Sequence, residues 1–208
     1  MNENLYIIGD GGHAMSVFNV MKRLDKIPKA FLGKKMLKTN PYNIPVMYEE
    51  ELRNLGAQED LYLVNGIGST GSLDKRKKVF LTKKSAGFVF QSIIDPSAVL
   101  FENVDVGEGV QLMAGVIVCN DVEIGENSII NTGAVVEHDC RIGKHCHIAP
   151  GATLSGGVIV GDETHVGAGA TLIQNVILGN RCTVAAGAVV VSSFSDDSKV
   201  FGIPAMVR

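Results

Sequence analysis

From Ile94 onward the hydrophobic positions of the chain recur every six residues. Steps of six from Ile94 meet Leu100, Val106, Leu112, Val118, Ile124, Ile130, Val136, Ile142, Ile148, Leu154, Val160, Val166, Leu172, Leu178 and Val184, all aliphatic. Four residues after each comes a smaller side chain, as at Ala98, Ser128, Ala134, Cys140, Ala152 and Ala188. Neither the 3.6-residue period of a helix nor the alternation of a single strand sustains this. A six-residue repeat is that of a parallel β-helix, with the aliphatic and the small residue both pointing inward. Two glycine series repeat at intervals of eighteen: Gly107, Gly125, Gly143, Gly161, Gly179, and Gly115, Gly133, Gly151, Gly169, Gly187. Eighteen is three hexads. Each coil therefore has three flat faces, and glycine recurs where the backbone turns with φ > 0 or passes close to a neighbour. The run makes just over five coils, roughly 25 Å tall at about 4.8 Å per stacked strand.

The first half has a different pattern. "LYIIG" at 5–9 reads as a buried strand, and "DGGHA" follows as a glycine turn. Ala14, Val17, Phe18 and Met21 then recur at helical spacing. Further strand candidates are "KAFLG" at 29–33 and "LYLVNGIG" at 61–68, the latter followed by a basic helical segment around 75–84. "FVFQSII" at 88–94 leads into the repeat. Strands alternating with helices predict a small Rossmann-like βαβ domain over 1–93, ahead of the β-helix over 94–208. The glycine turn after the first strand is a place where backbone N–H groups can hold phosphate, although the full G-x-G-x-x-G fingerprint is absent.

Composition narrows the classes. A formal charge of −3 over 208 residues leaves no electrostatic footprint for nucleic acid. There is no 18-residue apolar run and no basic leader, so a soluble cytoplasmic protein without membrane association is expected. The four cysteines lack C-x-x-C spacing, and Cys140, Cys146 and Cys182 fall at the small inward position, where they read as core filler.

Candidate chemistry concentrates in "VVEHDCRIGKHCHIAP" at 135–150, which holds His138, His145 and His147. His138 belongs to a surface column with Asn120 and Gly156, eighteen residues to either side. A neutral imidazole there suits general-base work, and the adjacent Asp139 can hold its tautomer. His147 lies half a coil away, so the two histidines meet only if chains pack side by side about a threefold axis. His145 and His165 read as surface histidines. Histidine spacings of seven, two and eighteen do not form a zinc-binding set, and no metal is expected. A non-catalytic, nucleotide-sugar-binding trimeric scaffold is the alternative from another class.

A βαβ domain opening with "IIGDGGHA", followed by a hexapeptide β-helix carrying "NTGAVVEHDCRIGKHCHIAPGATLSGGVIVG", resembles one family over nearly the whole chain. These are the bacterial sugar acetyltransferases of the left-handed β-helix superfamily, including bacillosamine and perosamine N-acetyltransferases and the sialic acid O-acetyltransferase group. The closing "VFGIPAMVR" is similar to the family's G-x-P-A-K, with Met206 where Lys is usual. The resemblance implies left-handedness, a homotrimer, acetyl-CoA as co-substrate and a role in surface-glycan synthesis. It implies His138 as catalytic base with Asp139 beside it, and Asn131 in the acceptor site. It implies His147, Gly156, Ala168 and Ala186 along the acetyl-CoA, Gly156 through its N–H. It implies Gly11, Gly12 and His13 at the nucleotide-sugar phosphates, with Gly68 on the facing strand end. Where the family shows two acidic residues after the second strand, Gly33 and Lys34 stand here. The expected acceptor is the 4-amino group of a nucleotide-linked 4-amino-4,6-dideoxy sugar, with O-acetylation of sialic acid or a related sugar as the alternative.

Overall fold

The computed structural model describes residues 4–33, 42–55, 61–69 and 72–207. They fall into two compact units divided between Ile93 and Ile94.

In the first unit, β1 (Asn4–Ile8), β2 (Ala30–Gly33), β3 (Val46–Tyr48), β4 (Leu61–Asn65) and β5 (Val89–Phe90) form a parallel sheet in the order β3-β2-β1-β4-β5. Helix α1 (Gly12–Arg23) follows β1, a short helix α2 (Leu52–Leu55) precedes β4, and α3 (Asp74–Ser85) links β4 to β5. The apolar stripe of α1 is buried at Ala14, Val17, Phe18 and Met21, as its spacing predicts. The order runs outward from β1 in one direction, then restarts at β4 in the other. The C-terminal ends of β1 and β4 therefore flank a topological switch point, where open α/β sheets leave a crevice. Two glycines there are required by geometry. Gly9 has φ +94°, and a Cβ on Gly66 would stand 2.7 Å from the Ile8 carbonyl oxygen.

Arg76 fixes α3 to that crevice. It is fully buried, and its Nη1 donates to the carbonyls of Asn65 at 2.8 Å and Ile67 at 2.9 Å. Asn65 Nδ2 donates back to the Arg76 carbonyl at 3.2 Å. Burial lowers the Arg76 pKa to about 9, which leaves the guanidinium charged at neutral pH. Strand β3 is not legible in the hydrophobic pattern, because three residues with one buried side chain carry no period.

The second unit is a left-handed parallel β-helix. Short strands, almost all of two residues, stack into three sheets of six, five and eight strands. Register is eighteen residues throughout the body, as in Val118 opposite Val136 and Ile130 opposite Ile148. The interior is the aliphatic series plus its small companions, with Cys140, Cys146 and Cys182 at 1% exposure or less. Burial pushes the Cys140 thiol up to about 11 and the Cys146 thiol up to about 12, which suits packing and not nucleophilic work.

The two glycine series serve different needs. Gly115, Gly133, Gly151, Gly169 and Gly187 sit in the left-handed region, with φ between +64° and +70°. Gly125 and Gly161 have no such φ. A Cβ on either would stand 2.6 Å from the backbone of the next coil. The other two corners are turned mostly by non-glycine residues with positive φ, among them Asp121, Asp139, Asn127 and His145, with Gly109 and Gly157 as the glycine members of these columns. Asn and Asp tolerate that conformation better than most residues. After Val190 the last coil shortens by two residues. Arg181 pairs with Asp197, sixteen residues on, and Phe194 bridges to Leu178 at the end of the core.

Candidate functional site

His138 and Asp139 occupy a corner between the strands Val135–Val136 and Arg141–Ile142. Asp139 has φ +60°, which folds its side chain back toward the preceding residue. His138 Nδ1 and Asp139 Oδ2 stand 2.7 Å apart. A carboxylate accepts and cannot donate, so Nδ1 carries the proton and Nε2 of the neutral ring keeps its lone pair. The same corner one coil earlier holds Asn120 and Asp121, with Asn120 Nδ2 donating to Asp121 Oδ2 at 2.7 Å. The His–Asp pair is thus a chemical variant of a repeating corner motif.

Gly156 completes this group. A Cβ there would stand 2.6 Å from both Cε1 and Nε2 of His138, so the imidazole rests against the bare Cα of the next coil. Among the described residues, no backbone carbonyl accepts the Gly156 N–H. Both His138 and Asp139 are exposed. The hydrogen bond to Asp139 raises the His138 pKa above the ordinary imidazole value. Desolvation partly opposes this, and the charges of Asp139 and Glu137 reinforce it. Cys119 lies nearby and shares a hydrogen bond with Glu137. Burial, that bond and the Glu137 charge push its thiol pKa upward, away from nucleophilic use.

A second group forms on another face. Asn131 Nδ2 lies 3.0 Å from His147 Nε2, while Asn131 Oδ1 accepts the Thr132 N–H at 2.8 Å. The latter bond fixes the amide, so Nε2 of His147 is the acceptor. The rings of His147 and His165 meet edge-on, with centroids 5.0 Å apart. Ala168 and Ala186 lie exposed on the Gly169 and Gly187 corner, one coil apart. Within one chain, His138, Asp139 and Gly156 form one cluster and Asn131 with His147 another, half a coil away.

The surface reading of His145 and His165 needs correction. His145 is only 7% exposed, with Nδ1 2.9 Å from Asn127 Nδ2, which makes it a corner residue packed between coils. His165 is half-buried, and burial lowers its pKa. The eighteen-residue columns stack Asn127 on His145 and His147 on His165, contacts that the hexad pattern alone does not display. Among the described residues no cluster of His, Cys, Asp or Glu is arranged to hold a metal, and no helix is long and apolar enough to cross a membrane.

In the first unit, Gly11 is the N-cap of α1 and Gly12 its first residue. No side chain caps this helix, and its first turn has no acidic residue. Neither glycine has a positive φ, and a Cβ on either would meet nothing within 4 Å. A Cβ on Gly68 would stand 3.1 Å from that of His13, so these two face each other across the switch point. Gly33 is buried at the end of β2. Lys34 lies outside the described residues. A cavity of about 400 Å³ opens beside these strand ends, lined by Asp10, Gly33, Ile67 and, from α3, Lys75 and Lys78. Lys83 forms an ion pair with Glu49 at 3.0 Å on its border. The sequence pattern does not single out Asp10 or the α3 lysines. Their signal is a charged residue inside a glycine turn and an i, i+3 lysine pair, both common on solvated surfaces.

The bacterial transferase hexapeptide model (six repeats) matches residues 103–138 and 157–192, and the hexapeptide repeat of succinyl-transferase matches 133–174. No curated protein sequence matched the chain. Among solved structures, a histidine-to-asparagine mutant of perosamine N-acetyltransferase from Caulobacter crescentus, in complex with CoA and GDP-perosamine, is 36% identical. It covers 99% of this chain and 96% of its own, with a TM-score of 0.90. The acetyltransferase domain of PglB from Neisseria gonorrhoeae FA1090, in complex with acetyl coenzyme A, is 30% identical over 100% of both chains, with a TM-score of 0.92. WeeI from Acinetobacter baumannii AYE shares the fold at 23% identity and a TM-score of 0.88, covering 98% of this chain and 99% of its own. A likeness of 36% identity over essentially full length, on a hexapeptide-repeat body, means that this chain belongs to the sugar acetyltransferases of the left-handed β-helix type.

Proposed function

We propose that the chain is an acetyl-CoA-dependent N-acetyltransferase that acylates the 4-amino group of a nucleotide-linked 4-amino-4,6-dideoxy sugar, in the cytoplasm, during surface-glycan synthesis. The observation that carries this reading is the grouping of His138, Asp139 and Gly156 in a chain 36% identical to a perosamine N-acetyltransferase over its whole length.

Acetyl-CoA supplies the activated acetyl group as a thioester. The chain's residues supply the proton handling and the charge stabilisation. With Nδ1–H held by Asp139, the Nε2 lone pair of His138 takes the proton from the acceptor amine as its nitrogen attacks the thioester carbonyl. Asp139 stabilises the imidazolium, and as the C–S bond breaks the imidazolium gives that proton to the departing CoA thiolate, which leaves as the free thiol and returns His138 to its neutral form. The Gly156 N–H stands as a donor for the oxygen that becomes negative, a contribution of about 3 kcal/mol for one such donor. No side chain is acylated first, consistent with thiols that are buried or raised in pKa.

In this reading the active enzyme is a homotrimer. The His138 group of one chain faces His147, Asn131, Ala168 and Ala186 of its neighbour, which supplies the two halves that one chain keeps apart. The uncapped start of α1 at Gly11, Gly12 and His13 receives the diphosphate of the acceptor. The backbone N–H groups of this first turn and the helix dipole favour an anion, and two unstrained, uncrowded glycines leave room for one to approach closely.

The test is acetyl-CoA turnover against a panel of UDP-, GDP- and CMP-linked sugars bearing amino or hydroxyl groups. Turnover is expected with a nucleotide 4-amino sugar. Turnover with free or CMP-linked sialic acid, and with no amino sugar, would overturn the acceptor while leaving the fold intact.

A further inference from the structure

A Rossmann-type domain ordinarily carries, at the end of its second strand, the carboxylate that reads ribose hydroxyls. In this chain that place is Gly33, and the neighbouring strand end explains why. A Cβ on Gly33 would stand 2.5 Å from Asp10 Oδ2 and 2.9 Å from Asp10 Cγ. The Asp10 carboxylate therefore fills the space into which a residue 33 side chain would project. Acidic side chains at both positions would press two carboxylates together, at a cost in repulsion and desolvation. One carboxylate belongs to this space, and it arrives from the β1–α1 turn instead of from β2.

The surroundings fit a nucleoside. The cavity of about 400 Å³ lies within the usual range for small-molecule sites. Ile8, Leu32 and Ile67 give it an apolar floor, suited to the face of a base. Asp10 stands at its wall, and Lys75 and Lys78, three residues apart on one face of α3, also line it. A half-buried carboxylate with an apolar floor beside it is placed to accept from a vicinal diol, while the lysines favour a ligand that also carries phosphate. We propose that Asp10 is the ribose-reading residue of this cavity, in place of the missing acidic residue at position 33. The inference rests on the nucleotide-sugar reading above and goes beyond it by naming the specificity-determining group.

The experiment is calorimetric titration of the full chain with GDP, UDP and CDP, each beside its 2′-deoxy and 3′-deoxy counterparts. A hydrogen bond to a charged group implies that the diphosphate which binds should do so about 10-fold or more tightly as the ribonucleotide. Asp10→Ala should weaken the ribonucleotide to the level of its deoxy counterparts, leaving a ratio near one, with the melting temperature checking that the fold persists. The double variant Asp10→Ala, Gly33→Asp should restore the preference, because the carboxylate returns to the same space from β2. A wild-type ribo-to-deoxy ratio in Asp10→Ala overturns the inference and leaves the nucleotide reading standing. Loss of the ratio without recovery in the double variant makes Asp10 structural and overturns it as well. Failure of every diphosphate to bind the wild-type chain removes the nucleotide reading itself, and the inference with it.

Discussion

The imidazole of His138 rests on the bare Cα of Gly156, one coil away, so closely that a single methyl group there would stand 2.6 Å from Nε2. The contact makes Gly156 a sensitive probe of the proposed base. Its backbone has no positive φ, so alanine brings no conformational strain of its own. The exposed imidazole, not the fold, has to move. Gly156→Ala should lower kcat by about 100-fold, since a displacement near 1 Å costs about that much in a positioned reaction. Its melting temperature should stay close to that of the parent. A variant with full activity would separate His138 from the chemistry.

The charge on Asp139 gives a prediction in pH. A base works deprotonated, so kcat/KM rises with pH through the free-enzyme pKa of His138. Asp139 holds that pKa above the ordinary imidazole value. Asp139→Asn keeps an acceptor for Nδ1–H but removes the charge. The acidic limb of the profile should therefore move to lower pH, while the plateau falls about 10-fold for want of imidazolium stabilisation. His138→Ala should cost about 10²–10⁴ and abolish the limb. An unshifted limb in Asp139→Asn would show that another group titrates.

Much of this is legible in the sequence, for reasons specific to the fold. In the body of this β-helix, stacked neighbours are eighteen residues apart, so the Gly156–His138 column and the inward cysteines follow from counting. The contact of Asn131 with His147 does not, because it spans sixteen residues and depends on rotamers. The contact of Asp10 with Gly33 is illegible for a related reason. It joins two strand ends whose proximity comes from sheet order, not from any period. The burial of His145 and His165 escapes the pattern because hexads sort inward from outward and do not report what covers an outward side chain.

The glycine series predict two different stability costs. At Gly133, φ is +66° and a Cβ would meet nothing within 4 Å, so alanine bears only the strain of the left-handed conformation, about 1–2 kcal/mol. At Gly125 a Cβ would stand 2.6 Å from the Gly143 carbonyl carbon and 2.7 Å from Lys144 N. Backbone on both sides is pinned by the ladder, so the coils must separate locally. Gly125→Ala should cost more than Gly133→Ala, toward the upper end of the about 1–3 kcal/mol usual for overpacking. Chemical denaturation of the two variants decides the order, and the reverse order would contradict the coil spacing.

An interchain site predicts complementation. His138→Ala removes the proposed base from one side of each interface. Ala186→Trp, at an exposed corner position that accommodates bulk without disturbing the core, blocks the other side. Each variant alone should be inactive. Mixed trimers, formed by joint denaturation and refolding, would each retain about one intact interface in three, because cyclic symmetry always places one unblocked corner opposite one intact histidine. Activity should reappear on mixing. Verified chain exchange with no recovery would count against a site shared between chains.

The start of α1 offers the cleanest test of where the acceptor lies. A Cβ on Gly12 meets nothing within 4 Å and φ is ordinary, so Gly12→Val leaves the protein's own packing unopposed. Valine has a somewhat better intrinsic helix propensity than the glycine it replaces, so the substitution does not weaken the first turn. What valine does obstruct is the approach of a ligand to the N–H groups of the first turn. Losing about two charge-assisted hydrogen bonds to a diphosphate should raise the acceptor KM by about 100-fold or more. The KM for acetyl-CoA should stay within about twofold, since the proposed acetyl-CoA groove involves only residues of the β-helix. A parallel rise in both constants would mean that the substitution perturbs the whole enzyme. No rise in either would remove the acceptor's diphosphate from the Gly11–Gly12–His13 turn.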